Sequence, residues 1–320
     1  MLVVSSNQFS KFFWIFSMNI WVFLFCLILV GIMYLNFLEE IKVGKDLEIL
    51  EMDYINNSYL QETCRAKQPV YFLLKNGIAL PDSHHLCTFQ LAEFASKYGK
   101  EKVVAYESLN SSSAEVTLLQ FIEERDERCQ KFGEEKEEKE EKEKEPKQEV
   151  YNVPLWSENN SVLIEETPLK RYFKYCDAFL APFGTVYTEY DFWLGSTGST
   201  IPVRHHRHHS YYLFVMNGEI SVKLAPFKFG VVGQAVLKND YMIMDPPILA
   251  KQVEDAVPWM EVIVSTGYCL LIPPYWWHQT TFTDSETQVA VFMYDNVMNT
   301  IVNWGDLFTL SRNFWQSGRS

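Results

Sequence analysis

Imidazole side chains are the most conspicuous reactive groups in this chain. Of its seven histidines, four fall in residues 205–209 (His205, His206, His208 and His209), inside the stretch 200–224, TIPVRHHRHHSYYLFVMNGEISVKL. The aromatic and β-branched run after them, the Asn217-Gly218 pair and the alternation of Ile220, Val222 and Leu224 predict a β-hairpin, with the histidines on the strand that enters it. Side chains alternate between the faces of a strand, so His205, Arg207 and His209 should share one face and His206 and His208 the other. Imidazole is a favoured metal ligand, and two of them at H-x-H spacing can hold one ion.

A second stretch, residues 267–280, reads GYCLLIPPYWWHQT. It predicts a short apolar strand, a Pro273-Pro274 corner and an aromatic strand carrying one histidine, His278.

These two stretches together resemble the metal-binding core of the JmjC and cupin-like 2-oxoglutarate oxygenases, above all the small hydroxylase-type members. In that family a segment of the form G-D-x-L-x-I-P-x-x-W-W-H supplies the distal metal-binding histidine, and His278 falls on it. Asp191-Phe-Trp-Leu-Gly195, Gly198-Ser-Thr and Pro202 are similar to the family's approach to the proximal ligands, and the resemblance spans residues 69–294 apart from a charged insertion. It implies a mainly β fold, a double-stranded β-helix (jelly-roll or cupin) barrel. It also implies an Fe(II) ion held by His-x-Asp/Glu and the distal histidine, with open positions for 2-oxoglutarate and O2.

The ligand positions depart from that pattern. Counting back from Gly218 puts the proximal histidine at His205 and an arginine, Arg207, where the family has its acid; counting forward from Pro202 puts the pair at Arg204 and His206. Neither register holds a carboxylate. The family's co-substrate lysine, two residues past the glycine, is replaced by Ile220; Lys223 belongs to the opposite strand face, and the family's Gly-Asp reads Gly267-Tyr268. The family reading expects His205 and His278 to face one cavity, and it fails in that form if they lie on opposite faces of a sheet.

Three functions follow. One is a catalytically degenerate, membrane-anchored binding or scaffold domain, since a guanidinium stays protonated and cannot ligate iron. Another is an Fe(II)/2-oxoglutarate-dependent protein hydroxylase in which His206 or His208 substitutes as a ligand. The third is a cupin-like site for another divalent metal, such as Zn(II), Ni(II) or Cu(II), on His206, His208 and His278.

The rest of the chain must position these groups. Residues 12–38 carry no charged side chain, and twenty-seven residues exceed what a hydrocarbon layer requires. They predict a membrane helix, and residues 1–45 a membrane anchor. Basic residues nearly balance on its two sides, so orientation rests on the short leader and on sequons at Asn56, Asn110 and Asn159. The expectation is a single-pass type II protein of the endoplasmic reticulum or secretory pathway, with its globular part lumenal.

Residues 46–132 read as an α/β lead-in: a strand at 69–74, a helix at 88–99, a strand at 102–106 and a helix over 114–132. His84 and His85 read as a solvated loop pair. Residues 133–149 are a charged low-complexity insertion, in which 134–149 hold nine acids and five lysines with no apolar face to bury, a solvated helix, coiled coil or disordered run. Residues 150–320 should form the barrel and a closing helix over 298–315 that packs on the barrel or on a second copy. The insertion contributes −4 of the net charge of −13, and no basic patch large enough for nucleic acid exists. Cys26 lies in the membrane segment, leaving an odd number of the six cysteines outside it, and Cys269 reads as plain core.

Overall fold

Strands buried on both faces organise this protein. Every residue of 211–216 and of 269–272 is shielded from solvent, as expected of apolar runs flanked by turn residues. A computed structural model describes residues 6–40, 42–44, 46–74, 89–107, 113–128, 155–227, 234–238, 241–245, 247–253 and 256–303; for 6–21, 234–238, 244 and 245 it describes the backbone. The charged run 134–149, His84, His85, Asn110 and most of the predicted closing helix lie outside these residues.

The fold is mainly β. After the helix α1 (Ser6–Glu40) come β1 (Leu50–Asp53), α2 (Asn57–Cys64), β2 (Val70–Leu73), α3 (Leu91–Tyr98), β3 (Lys102–Tyr106), β4 (Ala114–Thr117) and a helix α4 over 118–128. Next follow β5 (Trp156–Ser157), α5 (Ser161–Glu166), α6 (Leu169–Leu180), β6 (Thr185–Gly195), β7 (Thr200–His206), β8 (Ser210–Asn217) and β9 (Glu219–Ala225). The remainder is β10 (Gln234–Lys238), β11 (Tyr241–Asp245), β12 (Met260–Ser265), β13 (Tyr268–Ile272), β14 (Trp277–Phe282), β15 (Gln288–Asn296) and α7 (Val297–Val302).

The strands form two sheets. A nine-stranded sheet has the order β1-β2-β13-β8-β15-β6-β5-β3-β4, with β1 and β2 parallel, and an antiparallel six-stranded sheet has the order β10-β11-β7-β14-β9-β12. Among the described residues they do not close hydrogen bonds into a barrel. From β6 to β9 and again from β12 to β15, successive strands alternate between the sheets. The predicted hairpin at Asn217-Gly218 is therefore corrected: β8 and β9 lie in different sheets, and the turn is a corner between them. The corner is tight because Gly218 has φ of +76° and a Cβ there would lie 2.5 Å from Thr287 Oγ1. Pro273-Pro274 makes the corresponding corner between β13 and β14.

Between the sheets lies an apolar core that includes Tyr211, Leu213, Ile220, Val222, Leu270 and Phe282. Gly195 is bare so that the Phe282 ring can approach, since a Cβ there would lie 2.3 Å from it. The outer face of the large sheet (Tyr212, Phe214, Cys269, Phe292) is covered by α5 and α6 through Leu163, Phe173 and Leu180. At about 1.5–3 kcal/mol for each large apolar side chain buried, these layers are the main favourable contribution to folding. The outer face of the small sheet carries Val203, Ala225 and Trp277 under Ile248, Ala250, Val253 and Val257.

The lead-in is not a separate layer, because β1 and β2 extend the large sheet on one side and β3 and β4, joined through β5, extend it on the other. Its second helix begins later than the sequence suggested: residues 114–117 pair with β3 as a strand, and helix starts at 118. The apolar helix runs through the predicted span; residues 22–40 have a mean hydropathy of 2.2, and large apolar side chains such as Phe23, Phe25 and Leu35 are exposed. Cys26, Cys64, Cys176 and Cys269 are free thiols, and Cys269 is buried in the core as expected.

Candidate functional site

A bulge in the ladder decides which histidines meet. β14 pairs with β7 as Thr280 with Ile201 but His278 with Arg204, a shift of one residue that reverses the facing of the end of β7. Arg204 and His206 therefore point between the sheets, on the side of His278, while His205 points away. His205 packs edge-on against Trp277, 4.6 Å between ring centroids, and against Phe227 at 5.5 Å, on the outer face of the small sheet.

His205 and His278 thus fall on opposite faces, and the expectation that they share a cavity is corrected. The family comparison fails in the register that starts at His205. The register counted from Pro202 instead names Arg204 and His206, the two residues of this segment that lie on the side of His278. Arg207 is not at the carboxylate position: β7 ends at His206, and the Arg207 carbonyl accepts a hydrogen bond from Asn299 Nδ2 at 2.8 Å. Nor do His208 and His209 follow strand alternation, because they lie beyond β7. His208 Nδ1 meets Asp295 Oδ2 at 3.0 Å, and His209 Nδ1 meets Glu40 Oε2 at 2.9 Å.

The inward groups form one buried cluster. The His206 ring stacks on Tyr211 (4.3 Å) and lies 5.8 Å from His278 and 6.1 Å from the His208 ring. His206 Nε2 donates to the Ile272 carbonyl at 3.0 Å, and His278 Nδ1 donates to the Trp276 carbonyl at 3.2 Å. A carbonyl only accepts, so in each neutral ring the proton sits on that nitrogen and the other carries a lone pair. His206 Nδ1 and His278 Nε2 are buried with no hydrogen-bond partner among the described residues. Burial, with nearby Arg204 second, pushes the His278 pKa down to about 3; burial and the neighbouring imidazoles hold His206 well below the usual range. Burial also pushes His205 down to about 4.

Beside the imidazoles sits an ion pair. Arg204 Nη1 donates to Glu158 Oε2 at 2.5 Å, and the two side chains are 2% and 7% exposed. The guanidinium carbon lies 3.8 Å from the centre of the Tyr241 ring and 5.0 Å from that of Trp193. Tyr241 and Tyr211 join hydroxyl to hydroxyl at 3.2 Å. Burial lowers and Glu158 raises the proton affinity of Arg204, with the net shift upward, so the guanidinium stays charged. Its Nε and Nη2 have no hydrogen-bond partner among the described residues.

Glu158 was not foreseen. It stands 46 positions before Arg204, and it is placed by a device that has no motif. Fully buried Asp191 on β6 accepts from the backbone N–H groups of Asn159 (2.8 Å), Asn160 (2.7 Å) and Phe192 (2.8 Å), and from Trp193 Nε1 (2.7 Å). These bonds pin the 158–160 turn to the sheet, so Asp191 is a structural staple. Ile220, where the family has its lysine, is fully buried in the apolar core, and Tyr268 stacks on Tyr71 at 4.8 Å.

As a metal centre of the oxygenase kind, this donor set does not fit. The first ligand place holds a cation, the second a neutral imidazole, and Glu158, the carboxylate at hand, is committed to Arg204. Where a lysine would grip 2-oxoglutarate there is hydrocarbon. Among the described residues no group of three or more His, Cys, Asp and Glu side chains is placed to hold a metal ion. No protein-family model matches the chain, and no curated protein does.

Proposed function

We propose that this protein is a membrane-anchored, JmjC-like domain of the double-stranded β-helix class whose metal site has been replaced by an ion pair, and that it acts as a binding or scaffold domain without oxygenase turnover. One observation carries the reading: in the register that keeps His278, the proximal ligand place holds Arg204, paired with Glu158. The alternation of strands between two sheets and the segment 267–278 support the class. The exposed apolar helix α1 supports the anchor, and the sequon at exposed Asn56 supports a lumenal domain.

Calorimetry with Fe(II) or Mn(II) tests this. The wild type should bind neither. Arg204→His with His206→Asp rebuilds His-x-Asp…His, and Glu158→Gln added to it avoids stranding a buried carboxylate; this variant should bind metal. Tight binding by the wild type, with 2-oxoglutarate consumed, would make it the hydroxylase instead.

A second reading has its own observation. The lone pairs of His206 Nδ1 and His278 Nε2, buried without partners, suit a thiophilic or borderline ion better than iron. Zn(II) or Cu(II) retained by the wild type and lost on His278→Ala would favour it.

A further inference from the structure

We propose that the face of the domain around the end of α1, carrying Phe183, Val186, Tyr187, Val297 and Ile301, lies in the headgroup layer of the bilayer that α1 crosses; this rests on the reading of α1 as a membrane helix.

The last turn of α1 is clamped to the domain. Glu40, 8% exposed, meets His209 Nδ1 at 2.9 Å, Asn296 Nδ2 at 2.8 Å and Lys67 Nζ at 4.0 Å. His209 precedes β8, Asn296 ends β15, and Lys67 is held in turn by Trp276 Nε1 donating to its carbonyl at 3.1 Å. Three separate parts of the domain therefore grip one carboxylate, and α7 packs alongside α1. A domain held this way presents one fixed side toward the membrane.

That side is apolar close to the end of the span. Phe183 is fully exposed at the turn between α6 and β6, and it lines a hollow of about 360 Å³ together with Asn36, Glu39, Glu40 and Arg65. Asn36 lies one turn, about 6 Å, before Glu40 along the helix. Phe183 thus borders the same end of α1 that carries Leu35, Phe37 and Leu38, the exposed apolar end of the span. Val186 and Tyr187 follow on β6, whose Thr185 pairs with Asn296 of the clamp, and Val297 and Ile301, one turn apart, are the exposed apolar residues of α7. Aromatic rings are enriched at the membrane interface, where an apolar body and a polar edge are both accommodated, and a cation such as Arg65 meets lipid phosphate there.

Photocrosslinking of the full chain in phosphatidylcholine vesicles tests this. A benzophenone amino acid replaces, one at a time, Phe183, Val297, Leu29 within α1, and Ile263. Ile263 is 55% exposed on β12 near the Gly218 corner, at the far end of β8 from Ser210, which lines the hollow. Lipid adducts are read by mass spectrometry. Positions 183, 297 and 29 should label lipid, and position 263 at least tenfold less. Labelling at 29 without labelling at 183 and 297 would overturn this proposal alone, and failure at 29 would overturn the membrane span itself. Adducts to a second copy of the chain at 183 or 297 would replace the lipid with a dimer contact. Glu40→Ala should lower lipid labelling at 183 severalfold while leaving 29 unchanged; equal labelling at 183 would refute the role of the clamp.

Discussion

Removing Glu158 from beneath Arg204 is the sharpest perturbation of the buried cluster. The two charges lie with donor and acceptor atoms 2.5 Å apart, both side chains under a tenth exposed. With charge centres about 4 Å apart and an effective dielectric of about 20, their attraction is about 4 kcal/mol. Each ion has lost its hydration, so deleting one partner strands the other, at a cost of about 3–5 kcal/mol. Arg204 also loses its place over Tyr241 when replaced, about 2 kcal/mol more in a desolvated site. We therefore expect Glu158→Leu to destabilise by about 3–5 kcal/mol and Arg204→Met by about 5–7 kcal/mol. The double variant should cost much less than their sum, with a coupling of about 3 kcal/mol, because neither charge is then stranded. Urea unfolding of the full chain in mild detergent, followed by near-ultraviolet circular dichroism, measures all three. Single effects below about 1 kcal/mol, or effects that add to within about 0.5 kcal/mol, would refute the buried pair.

Acid should unfold the protein ahead of any carboxylate effect. His205 and His278 are depressed to about 4 and about 3 from 6.5, and His206 is well below it, so only the unfolded chain takes up these protons as pH falls below 6.5. The loss begins near the unfolded value and continues down to the folded ones; at pH 5.5 it is about 1.3 kcal/mol per group, about 4 kcal/mol together. Denaturant midpoints that stay level between pH 7 and 5.5 would contradict buried neutral imidazoles. Gly218→Ala should cost about 2 kcal/mol or more, since the left-handed conformation and the overlap with Thr287 both act against it; an unchanged melting temperature would refute the tight corner. If the domain is lumenal, Asn56→Gln should remove glycosidase-sensitive mass, whereas Asn159→Gln should not. Asn159 is part-buried with its Nδ2 donating to Tyr106 at 2.8 Å, and Asn56 is exposed at the start of α2.

Local patterns were enough to place the long apolar helix, the strands at 69–74, 102–106 and 268–272, and the corner at Pro273-Pro274. Each depends on neighbours a few residues apart, through hydropathy, period and backbone preference. The segment 267–278 similarly singled out His278. What local pattern could not supply was facing. Strict alternation put His205 inward, but one bulged residue between Ile201 and Arg204 turned His205 out and Arg204 and His206 in. A bulge is stabilised by the partner strand, so nothing in residues 200–206 announces it. Alternation also could not tell a hairpin from a corner at Asn217-Gly218, because both need a glycine with positive φ and buried strands on either side. The choice is made by β13 and β15 pairing with β8 while β12 and β14 pair with β9. Glu158 became the partner of Arg204 only because Asp191 ties its turn to β6, and the grip of His209, Asn296 and Lys67 on Glu40 joins four segments distant in sequence. Burial of a charge is a property of the assembled sheets, and so, although the count from Pro202 already offered Arg204, its inward facing and its carboxylate partner were legible only once both sheets were in place.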